Sequence, residues 1–107
     1  MDPNPHRGEV TLVIDGVARR LRLTLGALAS LEARLEAGSL MGLAERFESG
    51  RVGTADLIAL LSAGLSGGGE PIAEDVLINA EIDGGAVAAM RAGMSLLALA
   101  FRPLDNG

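Results

Sequence analysis

The sequence predicts an α+β domain that is mostly α-helical: an N-terminal β-hairpin followed by four to five short helices packed as a small orthogonal bundle. Three observations predict this fold class. Apolar residues alternate with period two near the N-terminus, and then recur at three- and four-residue spacing. Ser, Thr and Gly punctuate the helical stretches where caps are expected. A chain of 107 residues, 49% of them hydrophobic, is long enough for one such domain.

The hairpin is predicted over about residues 9–24. Val10, Leu12 and Ile14 occupy alternate positions, and Asp15-Gly16 then supplies the two residues of a type I′ turn. A lone two-stranded hairpin is marginally stable in water, so its apolar face must pack on the helices or its edges must pair with another chain. The register set by this turn gives the apolar face six members: Val10, Leu12, Ile14, Val17, Leu21 and Leu23.

Amphipathic spacing predicts the helices that follow the hairpin. Thr24, Ser39 and Thr54 are the expected N-caps, and Gly38 and Gly50 are expected to end the first two helices. The predicted spans are 25–37, 40–48, from just after residue 54 to about 65, 72–82 and 86–101.

The fourth predicted helix has a strand as its alternative. Val76, Ile78 and Ile82 would also suit a strand, because β-branched residues favour strands. Glu74 and Asp75, together with the spacing of the apolar residues, favour a helix. Both interpretations of residues 72–82 therefore stay open.

The domain organisation follows from the Pro- and Gly-rich segments. Residues 1–8 hold two prolines and predict a flexible lead-in, residues 9–101 form the single domain, and residues 102–107 form a polar tail. Ser66–Pro71 (SGGGEP) contains three consecutive glycines, whose backbone freedom makes this segment the predicted hinge of the domain.

Residues that could carry chemistry are scarce, so we predict no catalytic, cofactor-binding or metal-binding residue and no enzyme. The chain has no cysteine, and its single histidine, His6, has no partner at helical or strand spacing. The carboxylate pairs lie on polar helix faces, and Gly67-Gly68-Gly69 lacks the Lys and Ser or Thr of a phosphate-binding loop.

Charge and hydropathy exclude two classes of partner. A net charge of −5 argues against nucleic acid, whose phosphates attract a basic surface. We also expect no membrane partner, since no apolar run approaches the roughly 18 residues of a membrane span.

One apolar stripe gives the best candidate for a binding surface. Met90, Met94, Leu97 and Phe101 recur with a four-three-four step along the last helix. Such a stripe is ordinarily core, but methionine is also used where a surface must adapt to a helical or extended ligand. The candidate residues for core or for a partner-binding groove are Leu57, Leu61, Met90, Met94 and Phe101.

Four segments carry a resemblance to a known family. They are NPHRGEV at 4–10, LTLGALASLEARL at 23–35, SLMGLAERFESGR at 39–51 and ADLIALLSAGL at 55–65. In combination they closely resemble the small protein encoded in the tail-gene block of alphaproteobacterial gene transfer agents. That family is grouped with phage tail assembly chaperones and is sometimes labelled phage tail tube protein.

The resemblance implies a role in building the tail of a phage-like particle. Tail assembly chaperones generally bind the tape-measure protein and keep it soluble until tube subunits polymerise around it. The implied partner is thus the tape-measure or another tail protein, and the implied location is the cytoplasm of the host cell during particle assembly. The alternative is a structural component of the tail itself. A homo-oligomer joined through hairpin edges is one form that the assembly factor could take.

Overall fold

The fold is seen in a computed structural model that describes residues 9–35 and 39–101. The predicted lead-in 1–8, the tail 102–107 and Gly38 lie outside these ranges. The fold class is confirmed, because an antiparallel hairpin is followed by helices over the rest of the described chain. The elements are β1 (Glu9–Ile14), β2 (Val17–Arg22), α1 (Leu25–Arg34), α2 (Leu40–Ser49), α3 (Thr54–Gly67), α4 (Glu74–Ile78) and α5 (Gly85–Phe101).

The hairpin has the predicted turn and register. Asp15 and Gly16 both have positive φ, at 51° and 79°, as a type I′ turn requires. Ile14 pairs with Val17 at the turn, and the register continues to Glu9 opposite Arg22. On the apolar face Val10, Leu12, Ile14 and Leu21 are buried and Leu23 is half-buried, whereas Val17, beside the turn, is 48% exposed.

The segment that follows α4 pairs with the outer edge of β1. Ile82 forms an isolated antiparallel bridge with Ile14. The Asp15 amide donates to the Glu81 carbonyl at 2.7 Å, and the Asp83 amide donates to the Val13 carbonyl at 3.0 Å. The turn-proximal half of β1 therefore has a hydrogen-bonded neighbour on both sides.

This pairing corrects the predicted fourth helix. The helix is only Glu74–Ile78, and the end of the predicted span 72–82 is extended. An exposed strand edge carries unpaired amide and carbonyl groups, and β-branched Ile82 suits an extended backbone. Tertiary hydrogen bonding to β1 therefore outweighs continuation of the helix.

The outer edge of β2 is approached closely by the C-terminus of α3. A Cβ atom on Gly67 would overlap the Arg22 carbonyl oxygen, and one on Gly68 would overlap the Arg20 carbonyl oxygen. Only glycine lets two backbones come this close. Helix α3 extends to Gly67 and therefore includes the first two residues of the segment 66–71. That this segment acts as a hinge stays a prediction.

Helix α3 lies at the centre of the packing, in contact with β2, α1, α4 and α5. Gly64 brings it close to β2 and α5, since a Cβ there would lie 2.9 Å from Leu96 Cδ1 and 3.1 Å from Leu21 Cβ. The core is aliphatic apart from Phe47, and each fully buried leucine contributes about 2–3 kcal/mol. The side chains that are almost completely buried are Ile14, Leu21, Leu31, Leu43, Leu60, Leu65 and Leu96.

Helix α1 ends earlier than predicted. It stops at Arg34, and Leu35 is an extended C-cap with φ −77° and ψ 135°, whereas the prediction continued to residue 37. The Leu35 side chain is buried in that conformation. Burial of Leu35 therefore outweighs continuation of the helix at that position, and predicted positions 36 and 37 lie outside the described residues.

Two of the three predicted N-caps are confirmed. The Thr24 and Ser39 hydroxyls accept hydrogen bonds from the amides of Ala27 and Gly42, at 3.1 and 3.0 Å. Thr54 is not a cap, because Gly53 occupies that position and α3 begins at Thr54. Since Gly53 already has extended backbone at the cap position, the threonine becomes the first residue of the helix.

The caps yield a stability prediction. Replacing Thr24 or Ser39 by Ala is expected to lower the free energy of unfolding by about 1 kcal/mol each, because one amide at each helix start loses its acceptor. Thr54→Ala is the matched control and should change it by less than about 0.5 kcal/mol. Urea unfolding of the three variants measures the difference, and an equal loss at Thr54 would contradict the assignment.

In the described part of the chain, no helix combines the length and the hydrophobicity that crossing a membrane demands.

Candidate partner-binding site

An apolar groove lies between α2 and α5. Its volume is about 680 Å³, and it is open to solvent along its length. The floor is formed by buried Phe47 and Leu97, while Met41, Met94 and Phe101 stand on its walls. The described residues that line the groove are Met41, Ala44, Glu45, Phe47, Glu48, Met94, Leu97, Ala98 and Phe101.

The groove exists because α2 and α5 meet at a glycine. A Cβ on Gly93 would lie 3.0 Å from Phe47 Cζ and 3.1 Å from both Leu57 Cδ1 and Leu60 Cδ2. Because Gly93 has no side chain, the Phe47 ring packs closely against α5 at this position. Beyond it, Met94 and Phe101 of α5 line the groove opposite Met41 and Ala44 of α2.

The walls of the groove are formed by large apolar side chains that are exposed to solvent. Met41 is 63% exposed, Met94 is 50% exposed and Phe101 is 42% exposed. Single exposed apolar residues are ordinary, but several around one concave surface indicate a binding site. Two of the three are methionines, whose flexible thioether side chains adapt to different ligands.

The rim of the groove on α2 is acidic. Glu45 and Glu48 lie one helical turn apart and are both exposed. Arg46, between them in sequence, points to another face and forms an ion pair with buried Asp56 of α3. The positive charge nearest in sequence is therefore already paired, and the carboxylates of the rim stay exposed.

The structure separates the five residues predicted for core or groove. Met94 and Phe101 lie together on the groove wall. Leu61 is 3% exposed in the core, and Leu57 and Met90 are half-buried and pack against the core. Of these five residues, Met94 and Phe101 therefore line the groove, together with Leu97 of the same α5 stripe.

Sequence reasoning missed the α2 wall of the groove. Met41 lies off the stripe formed by Leu40, Leu43, Ala44 and Phe47, and was therefore given no role. An apolar side chain opposite the core-facing stripe of an amphipathic helix was the available signal. Its proximity to Met94 could not be inferred, because it depends on how α2 packs on α5.

Two other cavities show no catalytic arrangement. One, of about 370 Å³ between α1 and α3, is lined by three serines and Arg34, and its described lining residues include no histidine, lysine or carboxylate as a base. The other, of about 410 Å³, lies beside the hairpin turn near Glu81 and Asp83. Among residues 9–35 and 39–101, no cluster of His, Cys, Asp or Glu could hold a metal ion.

These features define a small α+β protein with an exposed apolar groove of the kind that proteins use to bind other proteins. The model of the family described as phage tail tube protein, GTA-gp10, matches residues 7–103. The chain therefore belongs to this family of gene transfer agent tail proteins, which confirms the resemblance found in its sequence. No curated protein and no solved structure matches it. Membership gives the protein a role in a phage-like tail and implies interaction with other tail components.

Proposed function

We propose that the protein is a non-enzymatic assembly factor that uses the α2–α5 groove to bind another tail protein. The expected partner is the tape-measure protein, bound in the cytoplasm of the host cell while the tail is built. The observation that carries the proposal is the exposure of Met41, Met94 and Phe101 around one groove. A groove between two helices accepts the apolar face of a third, which is a recurring mode of helix recognition.

Transient binding fits this surface. A chaperone must hold its client and then release it, so its interface should be smaller than that of a permanent complex. The groove walls span two helical turns of α5, from Met94 to Phe101, or about 10 Å at the usual rise per residue. A site of this length binds a short stretch of a long helical partner, and repeated copies of the protein could cover the rest.

A second candidate function is a structural component of the tail, which the family description favours. Tubes are readily built by pairing strand edges between subunits. Here the edges of the hairpin are partly occupied: Val13 and Asp15 bond to the segment 81–83, and Gly67 and Gly68 lie against β2. This arrangement supports the groove, rather than the hairpin edges, as the principal binding surface.

Co-expression with the tape-measure protein tests the proposal. We expect a soluble complex whose mass is measured by light scattering after size exclusion. Met94→Ser with Phe101→Ser should weaken binding about tenfold or more, because buried apolar anchors dominate the affinity of an interface. Since both side chains are about half exposed in the free protein, the double variant should keep the wild-type circular dichroism spectrum, with only a small fall in melting temperature.

Leu25→Ser is the matched control. Leu25 is 85% exposed at the start of α1 and does not line the groove, so its replacement should leave binding unchanged. Absence of any association at micromolar concentration would contradict the assembly-factor proposal. Stoichiometric amounts of the protein in purified particles, measured by mass spectrometry, would instead support the structural candidate.

A further inference from the structure

We infer that the α2–α5 groove selects a cationic amphipathic helix, with Lys or Arg residues flanking its apolar face. The inference deepens the proposed function, and it rests on the groove being a docking site. The groove presents an apolar floor and walls, and among the described residues of its lining the charged ones are Glu45 and Glu48. A partner must therefore satisfy two requirements at once: apolar anchors for the walls and positive charge for one rim.

The acidic rim is not neutralised within the groove. The basic residue between the two glutamates, Arg46, is turned toward Asp56 and paired with it. The α5 side of the lining is Met94, Leu97, Ala98 and Phe101, all uncharged. Opposite charge on the partner would consequently be attracted to one side of the groove, which fixes the orientation of a bound helix.

The spacing of the groove residues defines the partner's pattern. Glu45 and Glu48 are three residues apart, so basic residues three or four apart on one flank of a partner helix can face both of them. Met94 and Phe101 are seven residues apart, which matches apolar anchors two turns apart on that helix. A helix with a Leu or Met stripe and a neighbouring Lys or Arg stripe has both features.

A second copy of this chain is the competing occupant, and charge disfavours it. In a twofold-symmetric dimer the same patch lies on both sides of the interface. Two copies would bring together four carboxylates from Glu45 and Glu48, and none of the described lining residues is basic. Each copy also carries a net charge of −5. Like charges across an interface suppress association.

Two labelled peptides of about five helical turns test the inference. Both carry the same Leu and Met stripe, and they differ only in having Lys or Glu on the flanks. Fluorescence anisotropy with the full-length protein should show the Lys peptide binding about tenfold more tightly than the Glu peptide at low salt. This preference should shrink as salt is added, because exposed ion pairs are screened.

Charge reversal identifies the residues responsible. Glu45→Lys with Glu48→Lys should abolish or invert the preference for the Lys peptide. The control is Glu32→Lys with Glu81→Lys, which changes the net charge equally at exposed positions outside the groove and should keep the wild-type preference. Equal loss in the control variant would overturn the inference, because it would assign the effect to net charge alone.

The remaining outcomes also decide the matter. If neither peptide binds at micromolar concentration, or both bind equally, the inference is overturned. It is overturned as well if sedimentation shows a wild-type dimer that Met94→Ser dissociates, since a second copy then fills the groove. If the tape-measure protein requires Met94 and Phe101 while the peptides show no charge preference, the proposed function stands and only this inference fails. If the peptides discriminate but no tape-measure protein binds, this inference stands and the proposed function fails.

Discussion

Replacing Gly67 by Ala is expected to lower the free energy of unfolding by about 2–3 kcal/mol, the range for overpacking a tight contact. The new methyl group would overlap the Arg22 carbonyl oxygen, which belongs to the backbone of β2. Neither side can yield locally, because α3 and β2 are both held by the core around Leu21 and Leu65. Urea unfolding measures the loss, with an unchanged m-value as the sign that the unfolded state is not responsible.

Gly26→Ala is the matched control, with the opposite expected sign. A Cβ on Gly26 would meet only the Thr24 hydroxyl oxygen, at 3.9 Å, and the residue lies within α1. The same chemical change should therefore raise the free energy of unfolding by about 0.5–1 kcal/mol through helix propensity. If Gly67→Ala is neutral or stabilising, the close approach is refuted and the predicted hinge at 66–71 gains support.

Replacing Arg46 by Met is expected to lower the free energy of unfolding by about 2–3 kcal/mol. The change leaves Asp56, which is 5% exposed, as a buried carboxylate without its cation. Breaking a fully buried pair costs about 3–5 kcal/mol, and the smaller value applies because the Arg46 side chain is 28% exposed. Thermal and urea unfolding should agree on the loss.

A double variant separates the lost pair from lost packing. With Asp56→Leu added, no buried charge remains, so the double variant should be more stable than Arg46→Met alone by at least about 1 kcal/mol. Arg51→Met, at an exposed position beyond the end of α2, is the control and should change stability by less than about 0.5 kcal/mol. If Arg46→Met alone is as stable as Arg51→Met, the ion pair between α2 and α3 contributes little to the free energy of unfolding.

Local patterns predicted most of the fold. The Asp15-Gly16 turn fixes the hairpin register, because two-residue loops match the strand twist only with positive φ at both positions. Thr24 and Ser39 cap helices because their hydroxyl oxygens accept from amides three residues on. These interactions span few residues, so they are encoded where they occur in the chain.

Long-range packing accounts for the corrections to α1, to the fourth predicted helix and to the glycine segment, whereas Gly53 displaces Thr54 as a cap locally. Helix α1 stops at Arg34 because Leu35 is buried, and Ile82 is extended because it pairs with Ile14, far away in sequence. The Gly67-Gly68 pair has a packing role that composition could not reveal, since glycine also occurs in flexible linkers. In each case a distant contact outweighed a local preference.

The sequence predicted only part of the candidate site, because the rest of the groove depends on packing between distant segments. Periodicity identified Met94 and Phe101 as members of one stripe, but it could not separate them from Leu61 and Met90, which lie in or against the core. The missing wall, Met41, comes from a different helix. Which residues of the stripe stay exposed to solvent depends on how the neighbouring helices pack against it.

By itself, the sequence determined the fold class, the hairpin register, two helix caps and membership in a gene transfer agent tail family. Repeating patterns of a few residues carry this information, because hydrogen bonding and amphipathicity act within an element. Only the tertiary structure decided that the α3 glycines abut β2, that residues 81–83 join β1, and that an acidic-rimmed groove opens between α2 and α5. Those features arise where distant segments meet, and their energies depend on shape and burial that no local pattern contains.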